Sequence, residues 1–123
     1  HQGRIFGKPV DEREAAAMLS ALGGQTHAVV TAIAVADRQR CESVIVQTDV
    51  TMMSLSEELI AAYLSTGEPQ GKAGAYALQG MAAQFVERIC GSWGAVVGLP
   101  QFETAQLLAA FGIRPFWQKI NEI

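Results

Sequence analysis

Cysteine is nearly absent. Cys41 and Cys90 are the only two in 123 residues. Two are too few for a disulfide framework, and no C-x-x-C pair or His/Cys cluster has the spacing of a zinc site, so both read as small buried thiols and no metal ligand is assigned. Charge is also scarce: 17% of the residues are charged, for a net charge of -3. That balance excludes the broad basic surface that follows a nucleic-acid backbone, while a local cationic pocket for a triphosphate remains open. No apolar run approaches the length of a membrane span, and none of these residues reads as a secretory leader. No internal repeat or low-complexity segment occurs. Neither the phosphate loop G-x-x-x-x-G-K-[ST] nor the dinucleotide pattern G-x-G-x-x-G is present. Ser92 has no histidine at a suggestive spacing, which removes support for a nucleophilic serine.

Half of the residues are hydrophobic, enough for a single globular domain with a core. Arg4 to Phe6 is a short strand candidate stopped by Gly7 and Pro9. Asp11 with Glu14 has capping-box spacing, and Ala15, Met18, Leu19 and Leu22 form the apolar face of a helix that Gly23 and Gly24 end. His27–Ala36 and Glu42–Met53 are rich in β-branched residues, with Asp37–Arg40 as the polar turn of a long hairpin. Ser54 and Ser56 precede a second helix that runs to about Thr66. Ala83–Ile89 reads as another strand. A short helical stretch is expected around Ala95–Val97. A third helix starts near Pro100, with Phe102, Ala105, Leu108 and Ala109 along one face and Gly112 as its cap. The class is α/β (α+β), a mixed, largely antiparallel twisted sheet with flanking helices. The tail from Arg114 to Ile123, with Phe116 and Trp117, is a packing segment, a dimer segment or a variable end.

The richest segment is Gly67–Gly80, GEPQGKAGAYALQG, with four glycines, a lysine and two uncharged hydrogen-bonding side chains in one turn-rich loop. Glycine lets a backbone come close to a ligand and expose its N–H groups. Lys8, between a strand end and Pro9, can offset phosphate charge; by spacing alone a solvated lysine is the commoner case. Lys72 sits among small residues that leave its ammonium and adjacent N–H groups open to an anion, with a solvent-facing lysine as the equal alternative. Glu68 can hold a cation or a ribose hydroxyl, or cap the preceding turn. Gln79 offers the acceptor and donor pair that matches the edge of uracil or thymine, or it bonds to loop backbone. Tyr76 reads as a pocket wall. His27 reads as a satisfied structural histidine, Asp49 as a carboxylate paired across the sheet, and Glu87 with Arg88 as a pair on a solvent face.

Taken in order, GKP at Gly7–Pro9, GGQTHAVVTAIAVAD at Gly23–Asp37, QTDVTMMSLSEELIAAYLSTGEP at Gln47–Pro69, then KAGAY, LQG, AAQFVERICGSW and AVVGLPQFET resemble the Maf family of nucleotide pyrophosphatases. The resemblance covers nearly the whole chain except the tail after Gly112. QTH with GAYALQG resembles the branch acting on dTTP and UTP. It implies a Maf/ITPase-like fold and hydrolysis between the α and β phosphates, giving monophosphate and pyrophosphate, with a divalent cation (Mg²⁺ or Mn²⁺) as cofactor. Lys8, and more weakly Lys72, would offset phosphate charge, and Gln79 would select the base.

By the same resemblance residues 1–123 form a single partial domain. The serine, glycine and proline-rich turn with paired arginines and the catalytic aspartate are expected upstream of His1, so this stretch alone is expected to be inactive. The implied partner is a nucleoside triphosphate, with no nucleic-acid polymer and no membrane, in the cytoplasm, and a homodimer remains open. Two alternatives stand beside it: a non-catalytic nucleotide-binding or septum-related module, and a Maf enzyme preferring purine or methylated GTP.

Overall fold

The structure, a computed structural model, describes residues 1–114 and Phe116. Helix α1 (Glu12–Leu22) begins at Asp11, whose carboxylate accepts the N–H of Glu14 at 2.8 Å. Such a cap stabilises a helix start by about 1 kcal/mol. Ala15, Met18, Leu19 and Leu22 are its buried residues, the face that helical periodicity selects. Strands β1 (Thr26–Ala36) and β2 (Cys41–Met52) pair antiparallel in unbroken register from Thr26 opposite Thr51 to Ala36 opposite Cys41. At the turn, the Asp37 carboxylate accepts the N–H groups of Gln39 and Arg40 at 2.8 and 2.9 Å, the self-bonding that makes Asp a turn former.

Helix α2 (Glu57–Ser65) is capped by Ser56, whose hydroxyl accepts from Leu59 N–H. After the glycine-rich loop, β3 (Val86–Cys90) pairs antiparallel with β2, giving the order β1-β2-β3. Short α3 (Trp93–Val97) and then α4 (Gln101–Ala110) pack against β1 and β2, while α1 packs against α2 and against the 3₁₀ turn Ala73–Ala75. Side chains alternate across a strand. Val46, Thr48, Val50 and Met52 are accordingly buried, whereas Ser43, Ile45, Gln47 and Asp49 face out. The core joins α1, Met52, Ile60 and Tyr63 of α2, and Ala75, Tyr76, Ala82 and Phe85. Part of the candidate binding loop is therefore core.

Several expectations are corrected. Arg4–Phe6 is not a strand: no strand lies beside it among the described residues, and its backbone closes a local turn from Arg4 N–H to His1 C=O at 2.9 Å. The strand expected at Ala83 begins only at Val86, because Met81–Phe85 coil as a 3₁₀ turn whose first N–H groups bond to Glu68. On α4, Leu107 is the buried residue and Phe102 is 73% exposed. Apolar residues nearly encircle this helix, so its orientation is set elsewhere. Arg40, at the hairpin tip, donates to Ala110 C=O and lies over the Phe111 ring at 4.2 Å.

Cys41 and Cys90 are exposed, the first beside the hairpin turn and the second opposite Asp49 on the outward face. Among the described residues the ion pair is Arg40 with Glu42 at 3.3 Å. Asp49 faces Ala28 and Cys90 across the sheet, with no cation opposite. Glu87 and Arg88 are both exposed on β3, where the register with β2 shifts between Thr51 and Met52, and among the described residues they form no ion pair. Trp117, and with it most of the tail read as a packing or dimer segment, lies outside the described residues.

Candidate functional site

Between the edge of β1, the end of α1 and the glycine-rich loop lies a cavity of about 570 Å³, lined by Phe6, Leu22, His27, Gly74, Tyr76 and Leu78 among others. Its volume is in the range of small-molecule sites. Lys8, Lys72 and Gln79 are not among the residues that line it, although each lies within two positions in sequence of one that does. Gly74 N–H donates to Gly7 C=O at 3.1 Å, which brings the GKP turn and the KAGAY segment together. The side chains of Lys8, Lys72 and Gln79 are exposed and make no hydrogen bond to another described residue. Their polar groups are available to a ligand.

Glu68 is placed differently. One carboxylate oxygen accepts the Tyr63 hydroxyl at 2.7 Å and Ala82 N–H at 3.2 Å, and the other accepts Met81 N–H at 3.0 Å. Tyr63 in turn accepts Ala77 N–H at 3.1 Å. These bonds tie both arms of the loop to the end of α2. Burial pulls the Glu68 pKa upward, but the Met81 N–H, the Tyr63 hydroxyl and the Ala82 N–H outweigh it, and the nearby Lys72 ammonium adds a smaller pull, so the carboxyl titrates below its usual value. Burial, followed by the bond to Glu68, raises the Tyr63 pKa.

His27 is buried, with Nε2 at 2.7 Å from the Tyr76 hydroxyl and the two rings edge to face. Its Nδ1 is also buried and has no partner among the described residues, so the histidine is only half satisfied. Burial lowers its pKa and pushes Tyr76 up to about 12. Ser92 accepts Ala95 N–H as the cap of α3, a structural use of its hydroxyl. The Tyr63 to Glu68 frame and the His27 to Tyr76 bond escape sequence reasoning, since Tyr63 reads only as an apolar helix position. The one available signal is that Tyr63 and Tyr76 supply both tyrosines of the chain, and a buried tyrosine hydroxyl needs a partner.

For a divalent cation the fit is poor. Among the described residues no three His, Cys, Asp or Glu side chains converge, and the carboxylate nearest the loop is already bonded within it. No helix among the described residues is long and apolar enough to cross a membrane.

The model of the family described as "Maf-like protein" matches residues 2–111. Among curated proteins, the dTTP/UTP pyrophosphatase of Methylobacillus flagellatus is 52% identical over 111 residues, which are 90% of this chain and 56% of the relative. That of Xanthomonas euvesicatoria pv. vesicatoria is 51% identical over 110 residues, 89% of this chain and 58% of the relative. That of Photorhabdus laumondii subsp. laumondii is 53% identical over 109 residues, 89% and 56% respectively. The chain spans a little over half the length of the curated relatives it matches.

Proposed function

The chain belongs to the Maf-like protein family, and from that premise we propose that the full-length protein is a nucleoside triphosphate pyrophosphatase that hydrolyses dTTP and UTP to the monophosphate and pyrophosphate. The observation that carries the reading is the glycine-rich loop held against the GKP turn by the Gly74 to Gly7 hydrogen bond, with Lys8, Lys72 and Gln79 of those two segments exposed. It is supported by about 50% identity to proteins that bear that name.

Gln79 supplies an amide donor and acceptor to the O and N3–H edge of a pyrimidine. A site that hydrogen-bonds one base edge rejects others strongly, because mismatched bases leave buried polar groups unpaired. Lys8, and Lys72 beside it in effect, offset the charge that builds on the leaving phosphates. Glu68 frames the loop rather than meeting the ligand. Water is the nucleophile, and its general base is not assigned to a described residue. A divalent cation belongs to the proposal as cofactor, and the described residues do not by themselves form a site for it. The substrate is a free nucleotide, and a cytoplasmic enzyme limiting unwanted nucleotides is the role proposed.

The test is pyrophosphate release by the full-length protein, with Mg²⁺, across standard and modified nucleoside triphosphates. Preference for dTTP and UTP is expected. A purine preference overturns the substrate assignment, and no release with any of them overturns the enzyme.

A further inference from the structure

The segment that precedes Gln79 is under backbone tension. Gly74 and Ala75 both have left-handed backbones, with φ of 73° and 64°. For glycine this is free, but for alanine it costs roughly 1 kcal/mol, and Ala75 is fully buried. Strain of this kind persists only where neighbouring contacts hold it. Two contacts do so immediately downstream. Tyr76 reaches the buried His27 at 2.7 Å, and Ala77 N–H bonds to the Tyr63 hydroxyl at 3.1 Å. Leu78 and Gln79 follow directly, so the direction in which Gln79 leaves the core is fixed by where Tyr76 and Ala77 are pinned.

The two pins differ. Tyr63 is tied to Glu68 inside the loop's own frame, whereas His27 belongs to β1 and connects the loop to the sheet. Its register partner is Val50, fully buried near the end of β2, the central strand of the sheet, so the imidazole is set by a rigid element, and a site built on such an element is positioned more sharply than one on a loop. We propose that His27 is a positioning residue for base selection, acting through Tyr76 to hold residues 74–79 in the strained conformation that presents Gln79. The inference rests on the reading of Gln79 as the base-selecting residue. His27 touches no reacting atom; it determines how well the correct base is held. Its effect therefore falls on KM and on the choice between bases rather than on kcat.

The groups around the imidazole are few: Tyr76 from the loop bonds to it directly, the His1 ammonium acts on it with the same sign as its burial, and Asp49 of β2 acts on it with the opposite sign. Both partners in the bond are neutral near pH 7, so a neutral amide can replace the ring. In a glutamine the terminal amide falls near the place of Nε2, whereas in an asparagine it falls near that of Nδ1. This gives a pair of conservative variants that separates the bonded nitrogen from the unbonded one.

The experiment uses the full-length protein and measures kcat and KM for dTTP, UTP and dGTP in wild type, Tyr76→Phe, His27→Gln and His27→Asn, with amide hydrogen exchange over residues 74–80. Tyr76→Phe and His27→Asn are expected to raise the KM for dTTP and to reduce the dTTP-over-dGTP ratio of kcat/KM about tenfold, the size of one lost hydrogen bond that leaves a buried group unpaired. Exchange over 76–80 is expected to accelerate in the same two variants, and His27→Gln is expected to stay near wild type in both readouts. An unchanged ratio in a folded Tyr76→Phe overturns the proposal, even where thermal stability falls. So does an equal loss in His27→Gln and His27→Asn, which would make the imidazole a space-filler. A wild type that hydrolyses none of the three overturns the functional reading instead; the pin is then judged by exchange alone, and equal rates in wild type and Tyr76→Phe overturn it.

Discussion

Glu68 has about four lone-pair positions on two oxygens and accepts three hydrogen bonds from Tyr63, Met81 and Ala82. Gly80 lies against this carboxylate so closely that a Cβ there would fall 2.4 Å from one of its oxygens. The glycine is needed for space, since its φ of -110° is open to any residue. Gly80→Ala must therefore push the carboxylate out of its bonds, at a cost of about 1–3 kcal/mol for the groups left unpaired. Thermal unfolding of the full-length protein should show a fall of several degrees. If Glu68 is already alanine, the added Gly80→Ala should cost little more, because the two changes act on one set of bonds. Equal losses in the two backgrounds would show that the frame is not what Gly80 protects.

At the scale of elements, much of the fold was legible. The four buried residues of α1 were those that periodicity marks, since Asp11 and the paired glycines bound the helix and leave one apolar face. The long hairpin was legible because β-branched residues run unbroken on both sides of Asp37, whose carboxylate shapes its own turn. Legibility failed where tertiary contact decides. Residues 81–85 have strand-like composition, yet their first N–H groups are taken by Glu68, which lies 13 positions earlier than Met81. The facing of α4 was lost because its apolar residues surround it, and Arg40, 70 positions before Ala110, fixes its end. Lys8, Lys72 and Gln79 could be named as candidates from the sequence, and the structure leaves all three exposed. Glu68, Tyr63 and His27 act through partners that no local pattern reveals.

Across the whole molecule, His27 and the carboxyl groups of Glu68 and Asp37 all titrate below their ordinary values, so each withdraws stability towards acid, Asp37 at the lowest pH. His27 has a folded pKa below its ordinary 6.5, so the unfolded chain binds more protons as the pH falls through 6.5, and stability decreases there. Glu68 has a folded pKa below its ordinary 4.5, so the stability it contributes is present above 4.5 and is lost as the pH falls below it. Denaturant midpoints recorded from pH 8 to about pH 3 should thus decline in two stages, one near the histidine range and one below the ordinary carboxylate value. His27→Gln should remove the first stage and leave the second. A first stage that survives in His27→Gln would assign it to another group.

The loop, its frame and its pin converge on one side chain, and the central claim is that Gln79 reads the base. The measurement that tests it most directly is the ratio of kcat/KM for dTTP to that for dGTP in the full-length protein and in Gln79→Ala. Loss of a base-edge hydrogen-bonding pair is expected to lower the ratio by tenfold or more, on the order of 1.4 kcal/mol or above, with thermal stability unchanged because the side chain is exposed. A ratio within twofold of wild type in a folded, active Gln79→Ala would contradict the account.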